Sequence, residues 1–248
     1  MNNQNPFKKI LREEGLPYKK LLGTASTKTI KGEKLGYMTA ILYLTPNDDI
    51  CAHAKLAGCM EGCLYTSGRG AFNSVQKARQ AKTAFWYENR RALKWSEKAR
   101  EYKLLVRLNG TSDIPWENYT IPMPNGTNDT IFQIFSDIQF YDYTKHPSRN
   151  LQGKIGSDNY DLTYSFSSIT PKPISIKGLT NSNNSRVAVV FQKKEDIPSN
   201  FRNWQVIDGD DTDIRHIEPK QVVVALYAKG KAKKDQSGFV QIKGVHYA

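Results

Sequence analysis

The sequence contains no long apolar segment. No run of about 18 apolar residues, the length that a membrane-spanning helix needs, occurs in the 248-residue chain. The opening segment, MNNQNPFKKILREEG, also lacks the short apolar stretch of a secretion signal. These two absences favour a protein of the cytoplasm, where thiols stay reduced.

Cysteine is scarce, and its few copies are close together. All three cysteines lie within the segment CAHAKLAGCMEGC, which also contains His53. An odd number of thiols cannot all pair within one chain, and a reducing compartment disfavours disulfides. The grouping therefore indicates a metal site or a reactive thiol, although free cysteine also packs as a small apolar side chain.

Two metals suit this cysteine group. Three thiolates can hold three irons of a four-iron cluster and leave the fourth iron open, which lets S-adenosylmethionine bind and be cleaved reductively. Zinc is the alternative, because a tetrahedral site of three cysteines and one histidine is a common structural support. The predicted ligands of an iron–sulfur cluster or of zinc are Cys51, Cys59, Cys63 and His53.

Acidic residues are outnumbered by basic ones. The chain has 36 Lys and Arg against 24 Asp and Glu, a formal net charge of +12 that attracts polyanions such as nucleic acid. From Ala71 to about Tyr102, cations and aromatic residues interleave without proline or glycine, which predicts one long basic helix. Its cations could contact phosphates and its rings could stack on bases, although a solvated helix face explains the same pattern. The predicted contacts with single-stranded DNA or RNA are Lys28, Lys31, Lys34, Arg69, Arg79, Lys82, Trp86, Arg90, Arg91, Lys94 and Trp95.

Short apolar runs determine the predicted fold. Runs such as VAVVF and VVVALYA show no polar alternation, as expected for strands that are buried on both faces. Most linkers are too short for long crossover helices. We therefore predict an α/β fold with an abbreviated or distorted mixed or parallel sheet, or a partial barrel, and one long basic helix after the cysteine-rich loop. Residues 1–35 are predicted to be a basic N-terminal arm and residues 36–248 a single α/β domain.

Polar residues follow most of the predicted strands. In a parallel sheet the carboxyl ends of the strands meet at one edge, where ligands usually bind. The alternative is that these residues only form turns, since Asn, Asp, Gly and Ser favour turns for local reasons. The predicted ligand pocket contains Asn109, Ser112, Asp113, Asp142, Thr144, Lys145, Ser165, Asp208, Asp210, Asp213, Arg215 and Lys229.

Several long motifs carry a family resemblance. The segments CAHAKLAGCMEGCLYTSGRGAFNSVQKARQAKT, VRLNGTSDIPWE, VIDGDDTDIRH and ALYAKGKAKKDQSGFV follow one another in this order. With shorter segments between about residues 28 and 240, they resemble the gene product eighty-eight family of bacteriophages and plasmids. The resemblance implies a place in the cytoplasm of an infected host cell and a distant similarity to radical S-adenosylmethionine barrels.

Three functional hypotheses follow. The first is a phage-encoded cytosolic metalloprotein whose three-cysteine site supports iron–sulfur or radical chemistry on a nucleotide or nucleic-acid substrate. The second is a nucleic-acid-binding protein of phage replication that does no chemistry and has structural zinc or free thiols. The third is a protein that binds an acidic protein partner through its basic surface. The sequence leaves open whether the protein is an enzyme.

Overall fold

A computed structural model describes residues 21–23, 27–60, 62–89, 103–146, 149, 158–170 and 186–247. The helices in these residues are α1 (Thr27–Glu33), α2 (Asn73–Asn89) and α3 (Ile131–Ile134). The strands are β1 (Leu22–Gly23), β2 (Tyr37–Leu42), β3 (Lys103–Arg107), β4 (Thr120–Pro122), β5 (Asn128–Thr130), β6 (Gln139–Thr144), β7 (Tyr160–Ser165), β8 (Arg186–Phe191), β9 (Asn200–Phe201), β10 (Trp204–Asp208), β11 (Val222–Tyr227) and β12 (Val240–Gln241).

The main sheet is mixed and mostly parallel. Its order is β1-β2-β3-β6-β7-β8-β11-β10-β9, and β12 pairs with β8. The pairs from β2 through to β10 are parallel, whereas β1 and β9 are antiparallel to their neighbours. The predicted α/β fold with a mixed sheet is therefore confirmed. Strands β8 and β11 lie in the middle of the sheet, which explains their unbroken apolar sequences.

The sheet is strongly curved. Five strands separate β2 from β10, so the two would lie about 29 Å apart in a flat sheet with strands spaced about 4.8 Å. Lys31 of α1, which packs on β2, nevertheless donates from Nζ to the carbonyl oxygen of Asp210, just beyond β10, at 3.0 Å. A Cβ at Gly32 would lie 2.8 Å from Cδ1 of Ile214. These contacts require the two sides of the sheet to bend toward each other.

The two faces of the sheet are packed differently. On one face Leu42, Val106, Phe140 and Leu162 form a core with Trp86 of α2. Residues 209–221, which connect the parallel strands β10 and β11, lie on the other face. The charged side chains of this connection contact β3 and β6. This connection covers the second face with charged side chains and with Ile214, which packs on Leu105 and Tyr141.

Helix α2 covers the first core because its apolar side chains face the sheet. Ala84 and Trp86 are almost fully buried, with exposed fractions of 0% and 1%. The predicted stacking role of Trp86 is therefore wrong, because its ring has no free surface for a base. The rest of the predicted long helix, residues 90–102, lies outside the described residues.

Part of the predicted N-terminal arm belongs to the folded body. Strand β1 pairs with β2, and α1 packs on β2. Residues 1–20 lie outside the described residues, so the division into arm and domain stays a prediction. Within the described residues, every helix is too short or too polar to cross a membrane.

Candidate metal centre at the carboxyl edge of the sheet

The cysteine loop lies at the carboxyl ends of neighbouring parallel strands. It leaves β2 after Leu42 and leads into α2. The Cys51 sulfur lies 3.8 Å from the carbonyl oxygen of Thr111, in the segment that follows β3. Ser167, just beyond β7, donates from Oγ to the carbonyl oxygen of Ala57 at 2.6 Å. The cysteines therefore lie at the edge of the sheet where ligands of parallel sheets usually bind.

A second segment packs against the cysteine loop, and we call it the cover segment (residues 229–240). A Cβ at Gly58 would lie 2.8 Å from Oγ of Ser237, so this approach depends on glycine. The paired positions along the two segments are Gly58 with Ser237, Gly62 with Phe239, and Ser67 with Gly230.

The three thiols influence one another electrostatically. Burial raises the pKa of Cys51, and Asp113, Cys59 and Cys63 raise it further. Burial also raises the pKa of Cys59 and of Cys63, while Lys145 lowers both. The thiols are therefore protonated at neutral pH in the metal-free protein, and a metal ion that binds them would displace their protons.

Lys145 is the cation closest to this chemistry. Its Nζ donates to Oγ of Ser165 at 2.8 Å and lies 4.1 Å from the ring centre of Phe239. Its backbone N–H donates to Asp113 at 2.7 Å. Burial lowers the pKa of Lys145 to about 8, against the opposing effect of Cys59, Asp113 and Cys63. A charged amine in this position would offset negative charge on the sulfurs.

Arg79 of α2 holds the end of the cysteine loop. Its Nη1 donates to the carbonyl oxygen of Tyr65 at 2.9 Å, and its guanidinium lies 5.2 Å from the ring centres of both Tyr43 and Tyr65. A Cβ at Gly70 would lie 2.5 Å from the carbonyl oxygen of Tyr65. The backbone N–H of Tyr65 in turn donates to the Cys63 sulfur at 3.5 Å. Arg79 therefore supports the loop from within the fold.

In the described part of the chain, no group of three His, Cys, Asp or Glu side chains is arranged so that it could hold a metal ion. A tetrahedral zinc site needs sulfurs about 3.8 Å apart, given Zn–S bonds of about 2.3 Å. An iron–sulfur cluster attaches its thiolates to different irons and so accepts a wider spacing. His53 packs its ring on His146, with ring centres 4.1 Å apart.

Several residues of the predicted pocket form a buried turn network. Asn109 donates from its backbone N–H to Asp142 at 2.8 Å, and its Oδ1 accepts from the backbone N–H of Ile114 and from Oγ of Ser112. Tyr160 donates to Asp142 at 3.1 Å. Burial raises the pKa of Asp142 to about 7, while Arg107 opposes this shift. These contacts support the turn interpretation for Asn109, Ser112 and Asp142.

Arg149 ties this network to the cysteine centre. It pairs with Asp113 at 2.6 Å and with Glu117 at 2.8 Å, and it also donates to Thr144 at 3.4 Å. Asp113 thus contacts both Arg149 and the backbone of Lys145. Arg149 and Glu117 were not predicted from the sequence, because neither lies at the end of a strand.

Asp213 and Arg215 lie away from the cysteines, on the second face of the sheet. Arg107 pairs with Asp213 at 2.9 Å, and Arg215 donates from Nε to the Tyr143 hydroxyl at 2.6 Å. Arg215 also pairs with Glu218. We call these five residues the face network. Arg107, Tyr143 and Glu218 were not predicted, since the alternation of side chains along a strand does not show which polar group will meet a partner.

The remaining pocket residues form a third group at the end of β10. Lys229 pairs with Asp210 at 2.6 Å, and the Asp208 carboxylate accepts from the backbone N–H of Asp210 at 2.8 Å. The predicted pocket is thus divided: Asp113, Lys145 and Ser165 adjoin the cysteines, whereas the other members lie in the turn network, the face network or this group.

The predicted nucleic-acid contacts are also divided. Lys34 and Arg69 are exposed, whereas Lys82 is half-buried and burial lowers its pKa. Lys31 reaches the carbonyl oxygen of Asp210, and Arg79 supports the cysteine loop. The side chain of Lys28 and the whole of Arg90, Arg91, Lys94 and Trp95 lie outside the described residues.

Comparison with known proteins identifies a family. A family model described as Gene product 88 matches residues 18–243, so the chain belongs to this family and the resemblance seen in the sequence is confirmed. No curated protein and no solved structure matches the chain. The more distant similarity to radical S-adenosylmethionine barrels therefore has no support from these comparisons.

Proposed function

We propose that this gene product 88 protein is a metalloprotein in which Cys51, Cys59 and Cys63 hold an iron–sulfur cluster. The observation that carries the proposal is the position of three cysteines in one loop at the carboxyl edge of a parallel sheet, near the amine of Lys145. A cluster is preferred because three thiolates leave one iron open for a ligand, which suits a site at the carboxyl edge of a parallel sheet. Zinc held by the same cysteines and His53 is the alternative.

The residues around the thiols have distinct tasks in this proposal. Lys145 balances thiolate charge, and the N–H of Tyr65 donates to the Cys63 sulfur. A cluster held by three thiolates leaves one iron open, and when bound it would supply electron transfer and a site for S-adenosylmethionine. With the chain's net charge of +12, a nucleotide or nucleic acid is the proposed substrate class.

Anaerobic purification tests the metal centre. Iron, sulfide and zinc are measured per chain, and the absorption spectrum is recorded, since an iron–sulfur cluster gives a broad band at about 400 nm. Serine substitution of Cys51, Cys59 or Cys63 should abolish the band. His53→Ala is the matched control: it should leave iron content unchanged, whereas it should reduce zinc content if the site is a three-cysteine, one-histidine zinc site.

Two results would overturn the cluster proposal. One is zinc as the bound metal, lost in both the cysteine variants and His53→Ala. The other is a chain that takes up neither iron nor zinc after anaerobic reconstitution with iron and sulfide. Either result leaves free thiols or a structural site as the role of the cysteine loop.

A further inference from the structure

Two glycine turns meet at the outer rim of the cysteine centre. The first turn, residues 67–70, begins four positions after Cys63, and the second is the start of the cover segment. A Cβ at Gly230 would lie 3.2 Å from Cα of Ser67. Gly68 and Gly230 both have positive φ angles, +55° and +56°, which side-chain-bearing residues rarely adopt. Glycine thus allows the two turns to lie side by side.

The meeting turns expose four cations. In the cover segment Ala232 is buried against Gly62, while Lys231, Lys233 and Lys234 are exposed. Arg69 on the first turn is exposed as well. Within the described residues, none of these four cations takes part in an ion pair.

Asp235, the described acid that directly follows these lysines in the sequence, does not neutralise them. The Asp235 side chain is buried, and its two carboxylate oxygens accept from Oγ of Ser237 at 2.7 Å and from the backbone N–H of Val240 at 3.0 Å. Asp235 therefore holds the cover segment in shape, and the positive charge of the lysines remains available at the surface.

An aromatic ring is exposed beside these cations. Phe72 follows the first turn directly and is 61% exposed, an unusual state for a large apolar side chain. Its backbone N–H donates to the carbonyl oxygen of Arg69 at 3.2 Å, so the backbones of these two residues belong to the same turn. Cations that contact phosphates, combined with a ring that stacks on a base, are typical of sites for single-stranded nucleic acid.

We propose that Arg69, Phe72, Lys231, Lys233 and Lys234, the rim surface, bind the backbone and one base of single-stranded DNA or RNA. The bound strand would be the substrate of the metal centre, and in this respect the proposal rests on the function proposed above. The binding itself needs no metal. A strand held on the rim surface passes next to Cys63. A duplex stacks its bases inside and offers none to Phe72, so a single strand fits the surface better.

Fluorescence anisotropy with a labelled oligothymidine of about 20 nucleotides tests the proposal on the full chain. We expect micromolar or tighter binding at 50 mM salt, and four phosphate contacts give a slope of log affinity against log salt of about −2.8. The double variant Lys233→Gln/Lys234→Gln should flatten the slope by about 1.4. Phe72→Ala should weaken binding by about 5- to 150-fold without changing the slope.

The controls lie at the opposite edge of the sheet. Lys103→Gln removes an exposed lysine at the start of β3, and Leu35→Ala removes an exposed apolar side chain before β2. Both should bind like the unchanged chain, and circular dichroism should show that all variants are folded. The variant with all three cysteines changed to serine should also bind normally, so that a failed metal centre and a failed rim surface are distinguishable.

Three outcomes would overturn the proposal. The first is the absence of oligothymidine binding at 50 mM salt. The second is binding that neither the lysine double variant nor Phe72→Ala weakens, which would locate the contact elsewhere in the chain. The third is equal affinity for duplex DNA or heparin with no effect of Phe72→Ala, which would reduce the rim surface to a general polyanion site.

Discussion

The face network and the cysteine centre are both polar and largely shielded from solvent, but in the face network opposite charges pair with one another, whereas the cysteine centre gathers three thiols. In the face network Arg215 is fully buried and contacts the Tyr143 hydroxyl, Glu218 and the carbonyl oxygen of Gly209. At the cysteine centre, burial raises the pKa of all three thiols, and their hydrogen bonds are long.

The pairing of opposite charges explains the face network by its contribution to stability, whereas the cysteine centre needs another explanation. A closed set of opposite charges holds elements together, and removal of one member leaves the others buried without compensation. A group of thiols beside one amine gains little from mutual contact in the metal-free protein. Its arrangement at the edge of the sheet is better explained by a ligand than by stability.

The largest expected effect comes from opening the face network. Arg215→Met should lower the free energy of unfolding by about 3–5 kcal/mol, because Glu218 and the Tyr143 hydroxyl lose their buried partner. Urea denaturation measures the change. Lys194→Met is the control: Lys194 is 65% exposed and lies 3.7 Å from Asp208, so its loss should cost at most about 1 kcal/mol. Equal costs for the two variants would contradict a structural role for the face network.

A smaller effect concerns the pH dependence of the same network. Burial raises the pKa of Glu218 from 4.5 to about 7, although Arg215 and Arg186 oppose this shift. The folded state therefore holds a proton that the unfolded state releases, and this contribution is present below about pH 4.5 and lost as the pH rises through about 7. The difference in unfolding free energy between the unchanged chain and Glu218→Gln should shift across this range by up to about 3 kcal/mol.

The measurement is a series of urea denaturation curves for the two proteins at pH values from 4 to 8. Because other carboxyl groups titrate in both proteins, only the difference between their curves reports Glu218. Parallel stability profiles would show that Glu218 does not change its proton affinity on folding.

Some features of the fold could be predicted from the pattern of residues within one segment. The unbroken apolar runs of β8 and β11 predicted central parallel strands, because a strand covered on both faces has no place for polar residues. This prediction depends on properties of a single segment.

The sequence patterns could not predict which side chains of distant segments pair with each other. Arg149 meets Glu117, and Arg107 meets Asp213, across separations of 32 and 106 positions. Asn109 and Arg215 both follow strands, yet one lies in a turn on the first core and the other within the β10–β11 connection on the second face. In α2, cations and aromatic residues interleave, so the burial of Trp86 depended on which side of the helix met the sheet.

The smallest expected change in stability should come from replacing Lys145. This variant compares the cysteine centre most directly with the face network. Lys145→Met replaces a buried amine by an apolar side chain of similar length. The lost hydrogen bonds to Ser165 are offset because no amine needs to be desolvated. The unfolding free energy of the metal-free protein should therefore stay within about 1 kcal/mol of the original value, whereas the reconstituted cluster should lose a neighbouring positive charge and become harder to reduce.

Urea denaturation and a redox titration followed by absorption measure the two effects, with Lys145→Arg as the variant that keeps the charge. If Lys145→Met destabilised the chain as strongly as Arg215→Met does, the cysteine centre would be a second structural network, and its thiols would need no ligand to explain them.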